Sequence, residues 1–262
     1  MAKRQKGRLF IGTSNVVVPG NKLTFPEEYK EKTRLHYYAS LFTSVEVNSS
    51  FYKLPLPSTF KKWSEDVNPG FRFSFKASKT ITHCKDLNFQ SEDIPLFLDA
   101  AQHAGETKGP ILIQFPGKIT VEYYNKVESI LEQMGMHSPD QDRKLAVEFR
   151  HPSWYVREVE ELLLEHDATM VLQDIPKSRR SEPIQHAPFI YIRMHGIEGN
   201  YRGSYDDSIL EGYAGRIRKW AAEGLDVYCY FNNTMGAAFE NARSLQAMLN
   251  IIPGKPVKRS SQ

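Results

Sequence analysis

The chain has 262 residues, of which 40% are hydrophobic and 25% charged, and its net charge is +3. This length and apolar content are typical of one folded domain with a packed core. No apolar run is long enough to span a bilayer, and no hydrophobic segment follows the basic amino terminus, so a membrane protein and a secreted protein are both unexpected.

The positive charge is concentrated at the two ends of the chain. Seven basic residues lie there, so the central part of the chain is net acidic. Proteins that follow nucleic-acid phosphates usually carry their basic surface on the folded domain, so nucleic-acid binding is not expected. We interpret residues 1–7 and 251–262 as flexible basic ends around a domain over residues 8–250. The basic residues at the ends are Lys3, Arg4, Lys6, Arg8, Lys255, Lys258 and Arg259.

Two cysteines, Cys84 and Cys229, are far apart and match no metal-ligand spacing. Cys229 alternates with Tyr228 and Tyr230 in an apolar run, which indicates a buried thiol in a strand. A cytoplasmic location is therefore expected.

Eight short apolar runs, each ending in polar or ionisable residues, alternate with stretches of helical periodicity. The runs cover residues 8–14, 44–48, 71–77, 110–115, 144–150, 168–174, 189–195 and 226–233. The periodic stretches cover residues 33–42, 57–67, 91–104, 120–134, 151–166, 207–224 and 234–250. This alternation predicts an α/β fold, a single (β/α)₈ barrel of the TIM type. The sixth connection, residues 175–188, is rich in Pro and Ser and predicts a loop with little helix.

Polar residues at the carboxyl ends of the predicted strands share faces in pairs. Side chains two apart on a strand point the same way, so Glu148 lies beside Arg150 and Arg193 beside His195. Their apolar neighbours suit the helix side, and a slip of one residue would bury charges against the helices. In a TIM barrel the carboxyl ends of the strands converge on the functional site, so we expect a charged site there.

Two interpretations of this cluster remain open. Glu46, Glu148, Arg150 and Arg193 could neutralise one another in a purely structural layer, because ion-pair networks also produce such groups. The presence of His195 among the strand ends favours a functional site. The sequence contains no P-loop, dinucleotide fingerprint, HExxH or GxSxG motif, so the mechanisms that depend on them have no support.

Five strings in the chain, in this order, resemble those of the YecE-like family, also called domain of unknown function 72. They are VEVNSSFYKLP (45–55), FRFSFKAS…ITH (71–83), AVEFRHPSW (146–154), YIRMHG (191–196) and VYCYFNN…GAAFENA (227–242). The resemblance implies a TIM-type barrel without an established activity. It also implies recurring polar positions at Glu46, Asn48, Lys76, Gln114, Glu148, Arg150, His195, Asn232 and Asn233. The family's Gly-Thr-Ser-Gly-Trp opening differs here, because Asn15 and Val16 stand in place of the second glycine and the tryptophan.

We expect an enzyme that acts on a small anionic substrate, phosphorylated or carboxylated. Glu46, Glu148 and His195 are the candidate general acids and bases. Tyr201 and Tyr205, in the loop after the seventh strand, are candidates for part of a lid. The residues expected to bind the substrate are Asn48, Lys76, Gln114, Arg150, Arg193, Asn232 and Asn233.

Two alternatives stay open. In the first, Glu46, Glu148, Asp174 and His195 hold a divalent metal in an isomerase-like or phosphoesterase-like enzyme. The nearby cations would compete for the same carboxylates, so no cofactor is expected. In the second, the barrel binds a small ligand without catalysis. The oligomeric state is left open.

Overall fold

The computed structural model describes residues 5–137 and 143–253. The expected flexible ends, 1–7 and 251–262, lie mostly outside these ranges. Within them, the amide N–H of Gly7 donates to the carbonyl of Ala221 at 2.8 Å, so the chain is already bonded to the domain at this residue.

Nine strands form two parallel sheets in the described part of the chain. The strands are β1 (Leu9–Thr13), β2 (Ser44–Val47), β3 (Arg72–Lys76), β4 (Lys108–Phe115), β5 (Leu145–Phe149), β6 (Ala168–Met170), β7 (Leu172–Gln173), β8 (Ile190–Met194) and β9 (Val227–Phe231). One sheet has the order β1-β9-β8-β7 and the other β2-β3-β4-β5-β6. Every strand pair in them is parallel, as the alternation of strands and helices predicts.

The strand pairing shows the α/β part of the expected fold, but it does not show eight strands closed into one barrel. The sixth predicted strand, 168–174, is divided at Val171 into β6 and β7, which belong to different sheets. β1 and β2 are joined by one isolated bridge, between Ser14 and Glu46. The result is an α/β fold with two parallel sheets. Between β1 and β2, a side chain competes with backbone pairing, because the hydroxyl of Thr43 accepts the Ile11 amide N–H at 2.9 Å.

The helices lie in the connections between strands. They are α1 (Arg34–Leu41), α2 (Ser49–Tyr52), α3 (Pro57–Glu65), α4 (Lys79–Thr82), α5 (Asp93–Ala101), α6 (Tyr124–Met136), α7 (Arg157–Glu165), α8 (Asp207–Ala222) and α9 (Ala238–Met248). Local sequence sets several boundaries: Thr33 caps α1 through the amide of His36, and Gly224 follows α8 with a φ of 91°. The sixth connection contains one 3-10 turn, Pro176–Ser178, which confirms its poor helicity. No helix of the described chain is both long and apolar enough to cross a bilayer.

Two apolar clusters confirm the predicted strand register. The larger cluster includes Val45, Val147 and Ile192, which face the helices. A smaller cluster includes Tyr191 and Tyr230, the neighbours that point the other way. The hydroxyl of Tyr191 lies 2.7 Å from that of Ser74 on β3, and that of Tyr230 lies 2.6 Å from that of Ser44 on β2. These bonds connect the two sheets through the interior.

Candidate functional site

An arginine bridges two buried glutamates at the centre of the strand ends. Arg193 on β8 donates from Nε and Nη2 to the two carboxylate oxygens of Glu46, at 2.9 and 2.8 Å. Its Nη1 donates to Glu148 Oε2 at 2.5 Å. Arg193 is 1% exposed and both glutamates are fully buried. Three strands, β2, β5 and β8, therefore meet in one ion-pair network.

Glu46 accepts hydrogen bonds beyond those from the arginine. The hydroxyl of Ser14 donates to Oε1 at 2.7 Å and that of Tyr191 to Oε2 at 2.8 Å. Burial by itself would raise the pKa of Glu46, but the charge of Arg193 and these bonds outweigh burial and lower it. Glu46 is therefore an ionised carboxylate whose two oxygens are both engaged.

Glu148 and Arg150 extend the network towards solvent. Arg150 Nε forms a short ion pair with Glu148 Oε1, and the Arg150 side chain is 16% exposed. Burial opposes ionisation of Glu148, but Arg150 and Arg193 outweigh it and lower its pKa. The pKa of Arg193 is raised, because the two glutamates outweigh the burial of its charge. We call Glu46, Glu148, Arg150, Arg193 and His195 the ion-pair cluster.

The imidazole of His195 is neutral and has a defined tautomer. Its Nε2 lies 3.1 Å from Arg150 Nη2 and 3.2 Å from Arg193 Nη1. Guanidinium nitrogens only donate, so Nε2 is an acceptor and the proton is on Nδ1, 3.3 Å from Asp174 Oδ1. Burial lowers the pKa of His195, and this effect outweighs the bond to Asp174. Asp174 also accepts the backbone N–H of His195 at 2.8 Å.

Lys76, at the end of β3, lies beside the ion-pair cluster. Its ammonium donates to Gln114 Oε1 at 2.8 Å and lies 4.1 Å from the centre of the Phe51 ring. Burial, and next the charge of Arg193, lower the pKa of Lys76 to about 8. Burial and the charge of Lys76 lower the pKa of His83 to about 4. The His83 ring packs edge-on with the Phe51 ring, and the two ring centres are 4.7 Å apart.

Three asparagines at the strand ends have different environments. Asn48 donates its backbone N–H to Asn15 Oδ1 at 3.1 Å, and its own Oδ1 is buried without a donor among the described residues. Asn232 is 8% exposed. Asn233 points elsewhere, since its Nδ2 donates to the carbonyl of Gly203 and to Asn241 Oδ1, both at 3.0 Å. Asn233 therefore positions the loop that follows β8.

That loop brings two tyrosines to the cluster. The hydroxyl of Tyr201 accepts from Arg150 Nη1 at 3.2 Å, and its ring meets that of His195 edge-on at 5.8 Å. The hydroxyl of Tyr205 forms a short hydrogen bond with Asp174 Oδ2, and it accepts the backbone N–H of Gly196 at 2.5 Å. Burial raises the pKa of Tyr205, so it remains a donor to Asp174.

Sequence comparison assigns the chain to a known family. A profile described as "Protein of unknown function DUF72" matches residues 10–261. The chain belongs to the DUF72 family. The UPF0759 protein YecE of Escherichia coli K12 is 28% identical over 132 residues, which are 50% of this chain and 47% of YecE. The aligned part thus spans about half the length of this relative.

Solved DUF72 structures share the fold. A DUF72 family protein of Enterococcus faecalis V583 is 21% identical, with a TM-score of 0.76 over 95% of this chain and all of its own. Another, from Thermotoga maritima MSB8, is 26% identical, with a TM-score of 0.73 over 93% of this chain and 100% of its own. A xylose isomerase-like TIM barrel/4-hydroxyphenylpyruvate dioxygenase fusion protein matches at a TM-score of 0.52 and 16% identity, over 96% of this chain and 46% of its own. The DUF72 chain thus has a TIM-barrel-like fold.

The four residues that we considered as metal ligands do not form a ligand set in this DUF72 protein. The guanidinium of Arg193 lies between Glu46 and Glu148 and bonds both. Asp174 is turned towards the backbone of His195. No group of three or more His, Cys, Asp or Glu side chains in residues 5–137 and 143–253 is placed to hold a metal ion.

Sequence reasoning missed two contributors to the site. Asn15 has a φ of 63°, a left-handed conformation that asparagine tolerates, where the family has glycine. That departure from the family pattern was the available signal for its contact with Asn48. Phe51, under the Lys76 ammonium, lies in α2 just after the second strand, and no pattern distinguished it from a core residue.

Proposed function

We propose that the strand ends of this DUF72 protein form the site of an enzyme that acts on a small phosphorylated or carboxylated substrate by general acid–base chemistry. The observation that carries this proposal is the position of Lys76 and Arg150 at the outer edge of the ion-pair cluster. The inner arginine is saturated by two glutamates, whereas the Lys76 ammonium donates one hydrogen bond to the described residues. Two cations close together at the strand ends favour the binding of an anion.

In this proposal the substrate's anionic group binds Lys76 and Arg150, while amides complete the site. Gln114 stands opposite Glu148 in the β4–β5 register and fixes the lysine. Asn48 Oδ1, which is buried and accepts nothing from the described residues, would accept a substrate hydroxyl. Asn232, at the end of β9, would offer a further amide. A hydroxylated anion fits this set of donors and acceptors best.

Of the three acid–base candidates from the sequence, the proposed mechanism keeps His195 and replaces the two glutamates by Lys76. A general acid at neutral pH needs a raised carboxyl pKa, but those of Glu46 and Glu148 are lowered. In the proposed mechanism these glutamates orient Arg150 and Arg193. Lys76, with a pKa of about 8, and neutral His195 exchange protons with the substrate. An anion that draws Arg150 outward would remove one of the two donors at His195 Nε2, the ring nitrogen that can accept a proton.

A non-catalytic ligand-binding protein is the second candidate. It is favoured by the ion-pair cluster itself, because every carboxylate oxygen of Glu46 and Glu148 already accepts a hydrogen bond. Such saturated networks serve to hold donors in place.

The finer architecture is also part of the proposal: the two sheets act as one TIM-type barrel around this site. So is a reducing cytoplasm, in keeping with the free thiols of Cys84 and Cys229.

A thermal-shift screen of phosphorylated and carboxylated metabolites tests the proposal. We expect ligands that raise Tm in the wild type and lose at least tenfold in affinity in both Lys76→Met and Arg150→Met. Lys79→Met, which removes an exposed lysine three residues away, is the matched control and should bind as the wild type does. Proton and phosphorus NMR of each hit then measures turnover.

Turnover by the wild type, with loss in the two variants, supports the enzyme. Saturable binding without turnover supports the ligand-binding alternative. A site that binds only neutral compounds, or whose ligands are unaffected by both substitutions, would refute an anion site at this end.

A further inference from the structure

A second group of basic residues surrounds a cavity at the opposite end of the strands. The cavity has a volume of about 720 Å³ and is lined by five cationic side chains and one acidic one. The charged residues that line it are Arg8, Arg72, Lys108, Arg143, Lys144 and Glu106. The cationic ones stand at or just before the start of β1, β3, β4 and β5. We call this the amino-terminal cavity.

Three of the cations that line the amino-terminal cavity, Arg8, Arg72 and Lys144, are only partly neutralised. Arg8 Nη2 lies 2.8 Å from Asp226 Oδ2, and Lys144 Nζ lies 3.7 Å from the same oxygen. One carboxylate therefore serves two cations. Arg72 makes no ion pair within residues 5–137 and 143–253, and its Nη1 donates to the adjacent carbonyl of Phe71 at 2.9 Å. Like charges around one cavity repel, which costs stability unless an anion is bound.

Two of these guanidinium groups lie near the same aromatic ring, that of Phe10. The Cζ atoms of Arg8 and Arg72 lie 5.4 and 5.9 Å from the centre of the Phe10 ring. That ring is stacked on Tyr228, with centroids 4.6 Å apart. Both rings are buried, so they form a fixed apolar surface beside the two guanidiniums. Burial, and next the charge of Arg8, lower the pKa of Arg72, and they outweigh the opposite effects of Glu106 and Asp226.

We propose that the amino-terminal cavity binds a small multivalent anion of polyphosphate chemistry, either inorganic or attached to a nucleoside. Its volume exceeds that of a single phosphate and falls within the range of small-molecule sites. Arginines form bidentate bonds with phosphate oxygens, and lysines add point charges around them. The proposal is independent of the function assigned to the other end, because it uses none of the same residues.

Isothermal titration of the whole protein with inorganic tripolyphosphate, and then with ATP, tests this site at 0.1 M NaCl. We expect saturable binding with one ligand per chain, weakened at least tenfold in Arg72→Met. Gln102→Glu, which adds a negative charge to the cavity lining, is a second variant with little change in volume. Arg157→Met removes an exposed arginine on α7 and should leave binding unchanged.

The double variant Lys76→Met/Arg150→Met separates the two ends of the molecule. Binding of tripolyphosphate that survives in this double variant and is lost in Arg72→Met and Gln102→Glu supports the amino-terminal cavity. Three results would overturn the proposal: no saturable binding by the wild type, wild-type affinity in both cavity variants, or loss of binding in the double variant. ATP that binds more tightly than tripolyphosphate identifies a nucleoside polyphosphate as the ligand, and equal affinity identifies the polyphosphate alone. Tm of each variant establishes that it is folded.

Discussion

At the scale of single residues, the site contains charged side chains whose burial costs free energy. For most of them, a partner of opposite charge offsets this cost. Glu46 and Arg193 are buried together and fully hydrogen-bonded, so their charges compensate each other. Lys76 has no carboxylate within ion-pair distance among the described residues, and its pKa is lowered. A residue that lowers the stability of the fold is typical of a functional site.

Substitution of Lys76 by methionine should raise stability at neutral pH. The folded-state pKa of about 8 lies below the ordinary 10.5, so at pH 7 the fold holds a charge that it disfavours. This cost, about 1–3 kcal/mol, disappears as pH rises through 8 to 10.5, where the amine becomes neutral in both states. Urea unfolding of wild type and Lys76→Met from pH 6 to 11 measures it. The gap between them should narrow with pH; a constant gap, as for Lys79→Met, would contradict the argument.

Asn15 should resist replacement by alanine more than by glycine. Its φ of 63° costs other residues about 1–2 kcal/mol, and both changes remove the acceptor for the Asn48 N–H. We therefore expect Asn15→Ala to be less stable than Asn15→Gly by about 1–2 kcal/mol in urea unfolding. Equal stabilities would mean that the backbone conformation at this residue is relaxed in the variants.

At the scale of elements, strand ends could be predicted from sequence but strand continuity could not. The alternation of Val45 and Val47 with Glu46 set the register, and both glutamates contact an arginine as expected. The division of 168–174 at Val171 had no signal, because pairing with different neighbours on each side is a tertiary effect. Likewise, nothing local indicated that Asn233 would turn towards Asn241.

The contact between β1 and β2 depends on the absence of a side chain at Gly12. A Cβ there would lie 1.9 Å from the carbonyl oxygen of Ser44. We expect Gly12→Ala to lose about 2–4 kcal/mol, because the strands must separate. Gly215→Ala is the control: it lies inside α8 with nothing within 4 Å of the new Cβ, and should gain about 0.5–1 kcal/mol. Guanidinium unfolding of both variants measures the contrast, and similar losses in the two would show that packing at Gly12 is not special.

At the scale of the whole molecule, polar contacts connect the two sheets in addition to the apolar clusters that both sheets share. Glu46 lies in one sheet and Arg193 in the other, and the two form an ion pair. Arg193 forms a second ion pair with Glu148. The tyrosine–serine bonds of the interior make the same connection one layer below. Part of the cohesion between the sheets therefore depends on the ionisation of two carboxylates, which links the stability of the fold to pH.

Acid should weaken the molecule through these carboxylates. The folded-state pKa values of Glu46 and Glu148 are lowered from 4.5, so their stabilisation is complete above that value and is lost progressively as pH falls below it. Glu148→Gln should lose about 3–5 kcal/mol at pH 7, because it leaves buried positive charge uncompensated.

The gap between wild type and Glu148→Gln should then shrink as pH falls from 5 to 2.5 in urea-unfolding measurements. Glu65→Gln, an exposed substitution on α3, controls for the loss of one carboxylate. Raising NaCl to 0.5 M should leave the gap at pH 7 nearly unchanged, because buried pairs are screened far less than exposed ones. The argument is contradicted if the difference in unfolding free energy between wild type and Glu148→Gln does not change with pH, or if it disappears in salt. Either result would mean that the stabilising charges lie at the surface and not between the sheets.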